Sequence, residues 1–80
     1  MKIQVYGTSC AACKIMLANT QEAARQLGMQ DDVVHMSRIQ DMLTAGITGT
    51  PALAIDGEIK VMGKALEVPA IVALLRTGSI

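Results

Sequence analysis

Asp56-Gly57 stands between two short apolar runs, residues 52–55 (Ala-Leu-Ala-Ile) and 58–61 (Glu-Ile-Lys-Val). Both turn residues tolerate positive φ, the backbone that a two-residue β-hairpin needs, so the pair predicts an antiparallel hairpin. That hairpin must share a sheet with what precedes it. Residues 2–6 alternate polar and apolar and read as a strand. Residues 10–27 are rich in Ala, Leu, Met, Gln and Lys, all good helix formers. Cys13, Met16, Leu17, Thr20, Ala24 and Leu27 fall on one face of that helix, and Gly28 stops it. Residues 33–36 (Val-Val-His-Met) form a second strand after a solvated turn at Asp31-Asp32. Ser37 is the expected cap of a second helix that carries Ile39, Met42 and Leu43 and ends at Gly46. Beyond the hairpin, Gly63 ends the last strand. A final helix covers 67–77, with Pro69 in its first turn, where a missing N–H costs nothing, and Gly78 after it. Val68, Ile71, Val72, Leu74 and Leu75 are its apolar side.

The predicted order is therefore β-α-β-α-β-β-α. The first half requires a parallel crossover and the second closes with an antiparallel hairpin. Together they give an α/β fold: a four-stranded mixed sheet with helices on both faces, three layers in all. Eighty residues make one domain, 1–80, without linker or repeat. The chain has no Trp, no Phe and one Tyr, so Ile, Leu, Val, Met and Ala must fill its core.

Charge and composition remove several function classes. Seven Lys and Arg balance seven Asp and Glu, which leaves no basic stripe for a nucleic acid, and there are no aromatic platforms for base stacking. No run approaches the roughly 18 apolar residues of a membrane span. The N-terminus lacks a long apolar run and a small-residue cleavage site, so a cytoplasmic location is expected. There is no Gly-rich phosphate loop, and no cofactor is expected.

The two cysteines, Cys10 and Cys13, form a single C-x-x-C. A reducing compartment disfavours a structural disulfide, and a loop this short gains little from one. The pair reads instead as chemistry, placed where a strand hands over to a helix. Free N–H groups and the positive dipole end of that helix stabilise a thiolate at Cys10. Lys14, one turn on, can lean toward the same sulfur. Cys13 lies on the apolar stripe with Met16 and Leu17, which predicts a shielded thiol. An exposed thiolate beside a shielded thiol is what dithiol exchange requires: Cys10 attacks a target disulfide and Cys13 resolves the mixed disulfide. Thr8 and Ser9 read as helix caps, Ser9 slightly favoured by position. His35, the sole histidine, reads as a satisfied edge residue with no visible partner, and the six methionines as core filling or plain surface.

Two stretches carry a resemblance: Gly7-Thr8-Ser9-Cys10-Ala11-Ala12-Cys13-Lys14, and the run from Gly46 through Thr50-Pro51 and Asp56-Gly57 to Glu58, followed by Gly63. They resemble the small redox-active disulfide protein family, compact thioredoxin-like proteins of glutaredoxin size, from Lys2 to Leu75. The resemblance implies a thioredoxin-like fold and a thiol–disulfide oxidoreductase. It implies a cis peptide at Thr50-Pro51 facing the C-x-x-C, with the backbone of Thr50 pairing with an extended substrate segment. The resemblance carries that docking role to Thr50 and Pro51 only; Ser9, Ala11 and Ala12, which flank the cysteines and complete their turn, are expected to join the substrate-binding surface. The expected partners are a disulfide-bearing protein and a reductase or other electron donor; no coiled-coil seam is present, and a monomer is expected. Ala11-Ala12 departs from the Gly-Pro of typical thioredoxins, Ser9 replaces their Trp, and the first strand carries no Asp or Glu. Residues 7–13 also resemble the loop of heavy-metal-associated domains. Two competing readings therefore stand: a soft-metal carrier holding Cu(I) or Zn on the same two thiolates, and a redox docking module without turnover.

Overall fold

A computed structural model describes residues 2–8 and 10–77. Its elements are β1 (Ile3–Tyr6), α1 (Ala11–Gln26), a 3-10 turn (Gln30–Asp32), β2 (Val33–Met36), α2 (Ile39–Ala45), β3 (Ala52–Ile55), β4 (Glu58–Met62) and α3 (Val68–Thr77). The sheet order is β2-β1-β3-β4. β1 runs parallel to β2 and antiparallel to β3, and β3 pairs antiparallel with β4. This is the thioredoxin-like arrangement expected from the sequence.

The pleat sorts the two central strands between two cores. Ile3 and Val5 of β1, with Leu53 and Ile55 of β3, face α1 and α3 and pack with Met16, Ala23, Ala24, Ile71, Leu74 and Leu75. Tyr6, Ala52 and Ala54 face the other way and pack with Met42 and Ile47. Alternate residues of a strand point to opposite faces, so each central strand serves both layers and is buried throughout. The hairpin turn forms as expected, with φ of 52° at Asp56 and 85° at Gly57. Asp56 also ties the turn to the start of the chain. Its N–H donates to the Lys2 carbonyl at 2.8 Å, and its carboxylate accepts from the Lys2 N–H at 2.8 Å.

Three details depart from the sequence reading. β4 reaches Met62, and its register slips between Leu53, opposite Val61, and Ala54, opposite Ile59. Lys60 is the extra residue of this bulge. In a regular strand Ile59 and Val61 would share a face; the bulge turns Ile59 toward the α2 side and Val61 toward the α1–α3 side. Secondly, Ser37 does not cap α2. The helix starts one residue later than that cap would place it, at Ile39, with Arg38 at the cap position and no side-chain bond there. Thirdly, Met42 alone of the three expected apolar residues of α2 is buried, while Ile39 and Leu43 are 68% and 72% exposed. A helix of seven residues is under two turns long, and Leu43 stands about 100° round the axis from Met42. Gly78, the expected stop after α3, lies outside the described residues.

Truncating a core residue and an exposed one should separate sharply. Leu53→Ala should cost about 2–5 kcal/mol in urea unfolding of the disulfide form. Leu43→Ala should stay within about 0.5 kcal/mol, and a larger loss there would place Leu43 in the core.

Candidate active site

β1 ends at Tyr6, but the backbone ladder continues one residue further: the Gly7 N–H donates to the Met36 carbonyl at 3.1 Å. The chain then turns through Thr8 into Cys10. Cys10 has extended backbone, φ −67° and ψ 156°, and occupies the N-cap of α1. Its carbonyl accepts the Lys14 N–H at 3.0 Å, and its sulfur accepts the Cys13 N–H at 3.1 Å. Sulfur therefore fills the capping role expected of Thr8 or Ser9. With α1 beginning at Ala11, residue 10 is the one whose side chain can reach the free N–H groups of the first turn. Ser9 itself lies outside the described residues.

The two cysteines are joined as a disulfide, with their Cα atoms 5.1 Å apart. Their surroundings differ: Cys10 is exposed, and Cys13 is 2% exposed. Cys13 is buried because it shares a stripe of α1 with Met16, Thr20, Ala23 and Ala24. The Cys10 sulfur thus sits at the positive dipole end of α1, with the Cys13 N–H of the first turn directed at it.

Gly7 makes room for this pair. A Cβ at position 7 would lie 2.9 Å from both Cβ and Sγ of Cys13. Sequence reasoning assigns Gly7 only the breaking of a strand. The available signal was a glycine just before a C-x-x-C, where close approach is a second reason for the residue. His35 is a further residue that the sequence did not connect to the site. Parallel pairing sets Val5 beside His35, and His35 Nε2 lies 3.1 Å from the Gly7 carbonyl. A carbonyl only accepts, so Nε2 carries the proton and donates. His35 is thus satisfied, as expected, and its partner is the residue that packs on Cys13.

Thr50–Pro51 reaches the same end of the sheet through β3. Ala52 pairs with Tyr6 on one side and Met62 on the other, which brings the preceding residue to the level of the Gly7 loop. The Thr50–Pro51 peptide is cis. Pro51 is fully buried and its carbonyl accepts the Gly63 N–H at 2.9 Å, whereas Thr50 is exposed. Ala11 and Ala12 are exposed on the first turn beside Cys10. Among the described residues, no group of three or more Cys, His, Asp and Glu gathers into a metal-ligand set. Nor is any described helix long and apolar enough to cross a membrane.

A thioredoxin-domain family model matches residues 1–76 of the chain. A protein named thioredoxin, from Methanothermobacter thermautotrophicus, is 44% identical over 64 residues, spanning 80% of this chain and 83% of that relative.

The gap at Gly7 gives a direct test. Gly7→Ala should drive a methyl group into Cys13, lowering stability by about 1–3 kcal/mol in urea unfolding. In the reduced protein it should also raise the alkylation rate of Cys13. Unchanged stability and unchanged Cys13 reactivity would show that the two residues do not compete for space.

Proposed function

The chain belongs to the thioredoxin family and is a thiol–disulfide oxidoreductase, and from that premise we propose that Cys10 is its nucleophile and Cys13 its resolving thiol. One observation carries the assignment: Cys10 is an exposed residue at the N-cap of α1, while Cys13 is buried. Attack needs an accessible thiolate, and only Cys10 combines access with the helix end. In the first step the Cys10 thiolate forms a bond to one sulfur of the target disulfide. The target S–S bond breaks, and the departing sulfur leaves as a thiolate and takes up a proton. In the second step Cys13 loses its proton and attacks the Cys10 sulfur. The mixed disulfide breaks, the second target thiol departs, and the Cys10–Cys13 disulfide remains. Two electrons have passed to the target, and an external reductant must return two. Buried at 2% exposure, Cys13 is out of reach of a target until Cys10 has engaged one.

Thr50 and Pro51 form the docking wall in this reading. Thr50 is exposed at the sheet end that carries the dithiol, and Pro51 is anchored beneath it. The free backbone of Thr50 would pair with an extended segment of the substrate, as an added strand pairs with a sheet edge. Ala11 and Ala12, small and exposed, let that segment approach Cys10, and Ser9 belongs to the same surface by its place in the sequence. The partners are a protein disulfide and a reductase that restores the dithiol. A reducing cytoplasm suits that cycle, with the protein acting as a monomer.

The decisive measurement is equilibration with dithiothreitol redox buffers under a chelator, read by thiol alkylation and intact mass. A reversible two-electron midpoint between about −300 and −120 mV is expected, whereas failure to form the intramolecular disulfide would overturn the mechanism. Cys10→Ser should abolish reduction of a protein disulfide, and Cys13→Ser should accumulate mixed disulfides; full activity in both would reverse the assignment. Pro51→Ala should lower kcat/KM for a protein disulfide by about tenfold, equivalent to about 1.4 kcal/mol.

A further inference from the structure

Residues 48–51 are held against the end of β4 at three points. Gly63 donates its N–H to the Pro51 carbonyl at 2.9 Å. Gly49 lies beside Gly63, where a Cβ at position 49 would meet the Gly63 Cα at an ordinary contact distance of 3.5 Å. The third point is a sulfur. Met62 Sδ accepts the Thr48 N–H at 3.3 Å and the Thr48 hydroxyl at 3.1 Å. A thioether has two lone pairs and is a weak acceptor, and here one residue supplies two donors to it. Met62 is 40% exposed, and Thr48 is exposed as well. Met16 and Met42 are buried, and Met29 and Met36 half-buried. Met62 is therefore the most accessible methionine among the described residues, and its sulfur braces the loop that carries Thr50 and Pro51.

We propose that Met62 is an oxidation site through which a peroxide loosens this loop; the proposal rests on the reading of Thr50–Pro51 as the docking wall. The step balances with hydrogen peroxide alone. A sulfur lone pair attacks one peroxide oxygen, an S–O bond forms and the O–O bond breaks. The sulfur loses two electrons, and the other oxygen takes them together with the proton of the newly bound oxygen and leaves as water. A lone pair spent on the S–O bond is no longer open to Thr48, so oxidation and the brace compete for the same electrons. In the sulfoxide the strong acceptor is the oxygen, one bond further out than the sulfur. Thr48 cannot keep both donors satisfied where they stand, and the 48–51 loop must move. Cys10 and Cys13 take no part, so the midpoint of the couple should not follow.

The experiment treats the full chain in its disulfide form with hydrogen peroxide, since the disulfide presents no free thiol to the oxidant. Peptide mapping should place the oxygen on Met62 ahead of Met16, Met29, Met36 and Met42, and the Thr48 amide resonance should shift. After peroxide removal, kcat/KM for insulin reduction should be lower by about fivefold, the scale of one lost hydrogen bond. The dithiothreitol midpoint should be unchanged. Met62→Gln, whose acceptor also stands further out, should show the lower kcat/KM without peroxide. Met62→Leu should show a lowered value that peroxide reduces no further. Oxidation of Met16 or Met42 ahead of Met62 would overturn the proposal. So would a Met62 sulfoxide with undiminished kcat/KM in a protein whose Pro51→Ala variant has lost it. Undiminished kcat/KM in Pro51→Ala would instead remove the docking reading, and the proposal with it.

Discussion

Tyr6 is the last residue of β1 and is paired on both sides, with Met36 of β2 and Ala52 of β3. The site depends on this double pairing. β1 runs parallel to β2 and antiparallel to β3, so the end of β1, the end of β2 and the start of β3 meet at one end of the sheet. The antiparallel hairpin brings the end of β4 to the same place. Gly7, Cys10 and Cys13 leave from β1, His35 lies on β2, Thr50 and Pro51 lead into β3, and Met62 closes β4. A slip of one residue in the β1–β3 register would turn the core side chains of both strands to the wrong faces. The apolar pattern that holds the sheet together therefore also holds the chemistry in place.

The inequality of the two cysteines needs no dedicated device. α1 buries one stripe against β1 and α3, and Cys13 is the first residue of that stripe, followed by Met16, Thr20, Ala23 and Ala24. Cys10 precedes the helix, so it falls at the one position where a side chain can satisfy a first-turn N–H. Three residues of spacing across a helix start thus give one exposed cysteine at the helix end and one buried cysteine bonded to it. The tight contact requires only that residue 7 have no side chain. His35 then braces the Gly7 carbonyl from the neighbouring strand.

Much of this was legible from local pattern. Alternation marked β1, helical spacing marked α1 and α3, and Asp56-Gly57 marked the hairpin, because each signal depends on residues close in the chain. The strand-to-helix position of Cys10 and Cys13 was legible for the same reason. The start of α2 was not: Ser37 offered a good cap, but the cap falls one residue later, at Arg38, with no side-chain bond. Strand β4 misled in another way. Its alternation assigned Ile59 and Val61 to one face, and two cores on opposite sides of the sheet each took one of them through the bulge at Lys60.

From its sequence alone, this protein has an α/β order, an antiparallel closing hairpin, and a dithiol at the start of a helix with one cysteine on the apolar stripe. Local spacing is sufficient for all of these. Only the tertiary structure decided that Gly7 is the gap for Cys13, that His35 bonds to the Gly7 carbonyl, and that Met62 braces Thr48. It also decided which end of the sheet Thr50 and Pro51 share with the cysteines. These contacts join residues from 6 to 28 positions apart, through strand pairing, a loop return and the hairpin. Such distances close only when the whole sheet forms, because register is set by burial on both faces at once and not by any single segment.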